Sequence, residues 1–191
     1  MEVHKLLETL HIAERLKDEL RHCDTSKGRR ESVAEHSWRI ALMAFFLRDE
    51  FSEADMDKVT RMCLIHDLGE CFTGDIPAFD KTAQDESKEE ALLCQWVASL
   101  PSPCREEMRM LYSEMAALKT QEAKIYKALD KLEAVISHNE SDISTWEDHE
   151  YDLQLTYGEQ NVAFSPYLSE LRQAIRQETL DKIAREGDWR K

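Results

Sequence analysis

Residues 59–77 read VTRMCLIHDLGECFTGDIP, and this stretch decides the expected fold class. Three apolar residues and a histidine recur in it at the spacing of one face of an α-helix: Val59, Met62, Cys63 and His66. The spacing predicts a helix whose last inward-facing residue is His66. Asp67 follows directly, and Gly69, Gly74 and Pro77 then interrupt the helical pattern. A buried imidazole beside a buried carboxylate costs free energy unless the two are paired or bind a metal.

The same helical spacing recurs along the rest of the chain. It predicts a helix over about 33–51, with His36 on the inward stripe, and another over about 125–136 that carries Asp130. Further helices are expected around 3–20, 87–99, 104–118 and after Pro166. No run of alternating apolar and polar residues indicates a strand, and residues 24–28 are typical of a loop. The sequence therefore predicts an all-α helical bundle.

Length and charge restrict the classes of protein to which this chain can belong. The 191 residues suit a single domain over 1–191, without internal repeats or a linker. The formal net charge of -14 argues against a nucleic acid polymer or an anionic membrane as the main partner, but a small phosphorylated molecule stays compatible with it. Five scattered cysteines and a charged amphipathic N-terminus favour a soluble, cytoplasmic protein.

Spacing alone leaves metal binding open. A single inward-facing histidine is more often a hydrogen-bonded core residue than a metal ligand, and a His-Asp dipeptide is common by chance. The combination of His36, His66, Asp67 and Asp130 is compatible with a metal site and with a hydrogen-bonded structural cluster, so both interpretations stay open. The lysine ridge of Lys124, Lys127 and Lys131 is typical of a solvated helix face.

Four short strings make the pattern specific. They are SVAEHS at 32–37, IHDLGE at 65–70, TGDIP at 73–77 and ALDKL at 128–132. Together they resemble the HD-domain superfamily of metal-dependent phosphohydrolases, and within it the 5′-deoxynucleotidase branch. The similarity in element order extends from about residue 5 to 180. The resemblance implies an HD-type helical bundle.

The resemblance also implies a ligand set. His36, His66, Asp67 and Asp130 would coordinate one divalent cation, and two imidazoles with two carboxylates suit Mn, Co, Fe, Zn or Ni better than Mg. Two-metal relatives carry extra histidines after the His-Asp pair, whereas here no histidine lies between His66 and His138. A site for one metal ion is therefore expected.

Five further residues take roles by resemblance. Glu70 would transfer a proton, and Asp75 would face the sugar or the leaving 5′-oxygen. Ile76 and Pro77 would form a wall near the sugar 2′ position that disfavours ribose. Arg21 would contact the phosphate. Alternatives to Arg21 lie in the following loop: Lys27, Arg29 and Arg30.

The expected activity is removal of the 5′-phosphate from (deoxy)nucleoside monophosphates by attack of metal-activated water, within nucleotide metabolism. His22 follows Arg21 where related enzymes usually carry an aromatic residue, so the base preference stays open. The alternatives are an HD hydrolase for another phosphorylated nucleotide, a non-catalytic metal- or nucleotide-binding regulator, and an interaction scaffold. Members of the family often form homodimers, although the pattern itself does not indicate the oligomeric state.

Overall fold

A computed structural model describes residues 1–77 and 79–187. Ten α-helices lie in these residues: α1 Val3–Ala13, α2 Val33–Phe46, α3 Met56–Ile65, α4 Glu70–Thr73, α5 Ala83–Ala98, α6 Cys104–Ala117, α7 Gln121–Glu140, α8 Glu150–Thr156, α9 Glu159–Val162 and α10 Pro166–Glu186. Short 3-10 helices span Glu14–Lys17, Arg48–Phe51 and Ile143–Thr145, and two strands pair as β1 Leu20–Asp24 and β2 Arg30–Ser32. The predicted all-α class is confirmed.

Local sequence explains where the central helices begin. Ser32 caps α2 and forms a capping box with Glu35, each side chain bonding the other's backbone N–H. Asp55 and Thr120 cap α3 and α7 in the same way, by accepting a backbone N–H of the first turn. These caps set the start of each helix, and hence the direction in which its histidine or aspartate points.

Helix α7 forms the centre of the main core. It packs against α2, α3, α6, α9 and α10. The side chains that this packing buries completely include Ile40 and Ala44 of α2, Val59 and Met62 of α3, Ile125, Leu129 and Leu132 of α7, and Leu168 of α10. Since α2, α3 and α7 meet in this one core, polar residues at the edges of their inner faces come together.

Replacement of Leu129 by alanine tests whether α7 forms the centre of the main core. Leu129 is fully buried, so we expect Leu129→Ala to lower the free energy of unfolding by about 2–5 kcal/mol, through lost burial and the cavity left behind. Urea unfolding followed by circular dichroism measures this change. The matched control is Leu10→Ala on α1, where the leucine is exposed. Equal effects of the two substitutions would contradict the packing described here.

The antiparallel hairpin β1–β2 was not predicted from the sequence. The interpretation of 3–20 as one helix is wrong at its end, because α1 and a 3-10 helix finish at Lys17 and β1 begins at Leu20. Only Cys23 of β1 is buried, while Leu20 is exposed, so the strand shows no apolar alternation. Pairing with β2 holds Arg21 where its guanidinium contacts Glu31 of β2 and Glu133 of α7.

Helices α8 and α9 were also missed. The guanidinium of Arg172 on α10 donates to the backbone carbonyls of Gln154 and Tyr157, at 2.8 and 2.9 Å, and so ties the end of α8 to α10. Within the described part of the chain, no helix has both the length and the apolar character that a membrane crossing needs.

Candidate metal centre

The four predicted metal ligands come from three helices of the main core. His36 lies in the second turn of α2 and is 1% exposed, and Asp130 lies in the middle of α7. His66 and Asp67 directly follow α3, in turns that continue through i→i+3 backbone hydrogen bonds to α4. The packing of α2, α3 and α7 therefore brings together residues that lie up to 94 positions apart in the sequence.

The distances define a compact cluster. The Nε2 atom of His66 lies 2.8 Å from Oδ2 of Asp67, and Nε2 of His36 lies 3.8 Å from the same oxygen. Oδ1 of Asp130 lies 3.4 Å from Nε2 of His36 and 4.0 Å from Nε2 of His66. One donor atom each from His36, His66 and Asp67 lies within 4.8 Å of the others, the spacing of atoms that share one ion. Asp130 completes the group from the opposite helix.

Hydrogen bonding fixes which nitrogen of His66 faces the cluster. Its Nδ1 lies 2.9 Å from the carbonyl oxygen of Cys63. A carbonyl only accepts, so Nδ1 carries the proton and a neutral His66 presents the lone pair of Nε2 to the carboxylates. Among the described residues this buried Nε2 has no hydrogen-bond partner. The Nε2 lone pair therefore faces a carboxylate oxygen of Asp67, and neither atom donates a hydrogen bond to the other. A cation between the two atoms would stabilise this arrangement.

His36 is oriented in the same manner by Glu133. Its Nδ1 contacts a carboxylate oxygen of Glu133, which is fully buried on α7, and its Nε2 faces Asp130. Burial and the charge of Arg21 lower the pKa of His36, but the contacts with Asp130 and Glu133 outweigh them and raise it to about 9. Burial likewise opposes ionisation of Asp67, but imidazolium charge on His66 and His36 would lower its pKa to about 2, so positive charge at this position stabilises the carboxylate. The cluster therefore favours positive charge, and its two imidazoles and two carboxylates fit a divalent transition-metal ion.

Glu133 was missed by the sequence reasoning. It lies three residues after Asp130, as an acidic residue on a face otherwise formed by Leu129, Leu132 and Ile136. Burial raises the pKa of Glu133, but its contact with His36 and the charge of Arg21 bring it to about 2, so it is ionised. A buried charge within an apolar helix face is the signal that could have identified it.

Glu133→Gln tests this positioning role. We expect the affinity for Mn²⁺ to fall by about 10–100-fold, because the amide holds the His36 ring less firmly and makes it a weaker donor. Equilibrium dialysis with Mn²⁺ measures the affinity, with Glu140→Gln, on the same helix and hydrogen-bonded to Arg39, as control. Unchanged Mn²⁺ affinity in Glu133→Gln would show that the contact is only structural.

A cavity of about 280 Å³ opens beside the cluster. Eight of the nine predicted site residues line it: Arg21, His36, Asp67, Glu70, Asp75, Ile76, Pro77 and Asp130. The ninth, His66, lies behind them with its Nε2 toward Asp67. The roles of these residues stay predictions, but the structure places them around one space.

Two acidic residues at this cavity have raised pKa values. Glu70, the first residue of α4, is 5% exposed, and its Oε2 has no hydrogen-bond partner among the described residues. Burial, with the negative charges of Asp67 and Asp75, raises the pKa of Glu70 to about 10. Burial also raises the pKa of Asp75, although Arg21 opposes it. Gly74 directs Asp75 toward the cavity by adopting φ +78°, a conformation that side chains disfavour.

Positively charged side chains from several elements line the cavity. Nη1 of Arg21 lies 2.6 Å from Glu31 and 3.3 Å from Glu133, so part of its charge is already balanced. Lys127 and Lys131 also line the cavity, and Lys127 donates to Oδ2 of Asp130 at 2.8 Å. The interpretation of the lysine ridge as a solvated face is therefore wrong for Lys127 and Lys131, whereas Lys124 is exposed as expected. Lys81, which pairs with Glu89 at 2.7 Å, also lines the cavity and was not among the predicted site residues. Lysines spaced three and one residues from Asp130 were the available signal.

Comparison with known proteins agrees with this geometry. Residues 13–172 match the family model described as "HD domain". The chain is 35% identical over 112 residues to the 5′-deoxynucleotidase HDDC2 of Mus musculus, and 34% identical over 114 residues to that of Homo sapiens. Each match covers 58–59% of this chain and 55% of the relative, so the chain spans about half the length of these curated relatives.

One solved structure is similar over nearly the whole chain. A predicted metal-dependent phosphohydrolase from Magnetospirillum magnetotacticum superposes with a TM-score of 0.78 at 29% sequence identity. The alignment covers 94% of this chain and 96% of that one. The fold is thus shared well beyond the cluster of histidines and aspartates.

Proposed function

This chain belongs to the HD-domain family, and from that premise we propose that it is a metal-dependent phosphohydrolase that removes the 5′-phosphate from (deoxy)nucleoside monophosphates. The observation that carries the proposal is the lone pair of His66 Nε2, which is buried and faces carboxylates beside a cavity whose lining includes Arg21 and Lys127. The names of the Mus musculus and Homo sapiens relatives, and of the Magnetospirillum structure, support this activity.

In this proposal His36, His66, Asp67 and Asp130 hold one divalent cation. Mn, Co, Fe, Zn or Ni suits these donors better than Mg. When bound, the ion supplies a Lewis acid for a phosphate oxygen and lowers the pKa of a water molecule. A single ion is favoured because the sequence has no histidine between positions 66 and 138.

The phosphate needs positive charge from the protein as well, since Asp67 and Asp130 offset much of the charge of the ion. Arg21 is the predicted contact, although Glu31 and Glu133 already engage its Nη1 atom. Lys127 and Lys131 add two cations within hydrogen-bonding distance of other cavity residues, Asp130 and Tyr157. These three side chains together would hold the dianion of a phosphomonoester.

Glu70 would manage the proton. In the reaction a water oxygen forms a bond to phosphorus while the bond from phosphorus to the 5′-oxygen breaks. Glu70, which carries a proton, would donate it to the 5′-oxygen of the leaving nucleoside and would then take one from the attacking water. Its Oε2 has no hydrogen-bond partner among the described residues, and both Glu70 and Asp75 line the cavity.

Ile76 and Pro77 would contact the sugar. Both line the cavity after Gly74, on the side of Asp75. An apolar wall at the 2′ position would leave a ribose hydroxyl without a hydrogen-bond partner, so a deoxyribonucleotide would be preferred.

A phosphate-release panel tests the proposal. Purified protein with Mn²⁺ or Co²⁺ is expected to release inorganic phosphate from deoxynucleoside monophosphates, and faster from dAMP than from AMP. The panel includes a nucleoside triphosphate and a cyclic dinucleotide, which represent the alternative HD substrates, and their nucleotide products are separated by chromatography because these compounds can be hydrolysed without release of inorganic phosphate. Normal metal binding without hydrolysis of any of these compounds would overturn the catalytic proposal and favour a regulator.

A further inference from the structure

A buried carboxylate outside the metal cluster lies next to Arg21. Glu31 is the middle residue of β2 and is 6% exposed, and its Oε2 lies 2.6 Å from Nη1 of Arg21. The sequence reasoning gave Glu31 no role. Burial of a carboxylate costs free energy unless the group is paired and hydrogen-bonded. The contacts of Glu31 therefore indicate what it does in the folded protein.

An irregularity in the hairpin brings Glu31 and Arg21 together. Leu20 pairs with Ser32, and Asp24 pairs with Arg30. Between these two pairs β1 has three residues, 21–23, whereas β2 has only Glu31. Extra residues in one strand form a bulge, which changes the direction in which side chains point. The local geometry of the hairpin thus places Glu31 beside the guanidinium of Arg21.

One corner of this guanidinium is held from two sides. Nη1 of Arg21 donates to Glu31 and, at 3.3 Å, to Glu133, so both of its hydrogens are used. Nε and Nη2 have no hydrogen-bond partner among the described residues. Both nitrogens keep some accessible surface, unlike the fully buried unpaired atoms of this structure. Since Arg21 lines the cavity, the edge formed by Nε and Nη2 is available to a ligand there.

Glu31 is itself connected to α7. Oγ of Ser137, a buried residue of α7, lies 2.6 Å from Oε1 of Glu133 and 3.3 Å from Oε1 of Glu31. Burial and the charge of Glu133 raise the pKa of Glu31, whereas the charge of Arg21 lowers it. The cation of Arg21 therefore stabilises two acids that would otherwise repel each other. One side of Glu31 faces α7, and the other side holds Arg21.

We infer that Glu31 is a positioning residue that holds Arg21 so that its Nε–Nη2 edge meets the phosphate of the substrate. The inference rests on the proposed function, because that function gives Arg21 its phosphate. The two N–H groups of this edge point in parallel and bind phosphate well only when the guanidinium is correctly oriented. Glu133 holds Arg21 less firmly, since it lies farther from Nη1 and also contacts Nδ1 of His36. Glu31 therefore acts on the phosphate, and Glu133 acts mainly on the metal.

Binding of inorganic phosphate tests this role without turnover. The protein is loaded with Mn²⁺, desalted and titrated with phosphate by calorimetry. We expect Glu31→Met, which is similar in size but has no acceptor, to raise the Kd about tenfold or more. Glu31→Gln keeps an oxygen for Nη1, so it should raise the Kd less than Glu31→Met does. Asp24→Asn is the matched control with wild-type Kd, because Asp24 pairs with Arg30 at 3.4 Å in the same hairpin.

Two further readouts distinguish positioning from a structural role. Equilibrium dialysis should give Glu31→Met the Mn²⁺ affinity of the wild-type protein, and with dAMP its KM should rise by a larger factor than its kcat falls. Wild-type phosphate affinity in Glu31→Met would overturn the inference. So would a loss of Mn²⁺ affinity as large as the loss of phosphate affinity, because Glu31 would then support the whole cluster.

A double variant keeps the test decisive if circular dichroism shows that Glu31→Met is unfolded. In an Arg21→Gln background, Glu31→Gln should weaken phosphate no further, because Glu31 acts through Arg21. Additive losses would overturn the inference. Phosphate binding that depends on Glu31, without hydrolysis of any nucleotide, would overturn the phosphohydrolase but not the positioning role. Hydrolysis of dAMP with a KM that does not depend on Glu31 would do the reverse.

Discussion

The His66→Gln variant is expected to lose on the order of a thousandfold in kcat/KM for dAMP and to bind Mn²⁺ far more weakly. Nδ1 of His66 is engaged by the Cys63 carbonyl, so Nε2 is the only nitrogen that can act as a ligand. Glutamine has a similar size and keeps a donor near Cys63, but it removes the imidazole lone pair. The loss should therefore arise from the metal centre and not from unfolding.

Three measurements separate these causes. Phosphate release at several Mn²⁺ concentrations gives the activity, equilibrium dialysis gives the affinity for the metal, and circular dichroism shows whether the variant is folded. His4→Gln is the matched control, because His4 lies exposed on α1. If His66→Gln bound Mn²⁺ as the wild-type protein does, the assignment of His66 as a ligand would be wrong.

The Glu70→Gln variant is expected to lose about 10²–10⁴-fold in kcat while it retains metal affinity and KM close to wild type. Glutamine fills the same volume but cannot take up or release a proton. Because the change acts on the proton and not on binding, kcat should fall with little change in KM. A non-catalytic regulator would tolerate this substitution, so the variant also separates the two classes of function.

The pKa of Glu70 predicts how the substitution affects stability. In the metal-free protein burial and the neighbouring carboxylates raise this pKa from 4.5 to about 10, so folding favours the protonated form. The penalty is absent below pH 4.5 and grows as the pH rises toward 10. Metal-free Glu70→Gln should therefore have an unfolding midpoint at pH 7 at least as high as that of the wild-type protein. Glu90→Gln, at an exposed position of α5, should change neither kcat nor stability. A lower midpoint for Glu70→Gln would indicate that kcat fell through structural damage.

The long helices of the core could be predicted because their local signals agree with the fold. In α2 and α7, apolar residues recur at helical spacing and a capping residue precedes each helix. In the β1–β2 hairpin and in α8, the local sequence signals do not indicate the element that forms. Cys23 is the only buried residue of β1, and α8 turns Glu150 and Gln154 inward. Their positions depend on partners that are distant in the sequence, such as His138 for Glu150 and Arg172 for the end of α8.

The residues of the candidate site also fall into two groups, those that the sequence indicates and those that it does not. The resemblance supplied the ligand set because its motifs are local strings around His36, His66 and Asp130. Glu133 and Lys127 could not be assigned in this way, because their roles come from contacts with His36 and with Asp130 across or along the packed helices.

The metal content of the protein tests the central claim most directly. Protein equilibrated with excess Mn²⁺ and passed through a desalting column is analysed by inductively coupled plasma mass spectrometry. The account predicts one ion per chain for the wild-type protein and close to none for His66→Gln. Absence of a stoichiometric ion, or two ions per wild-type chain, would contradict a single metal held by His36, His66, Asp67 and Asp130.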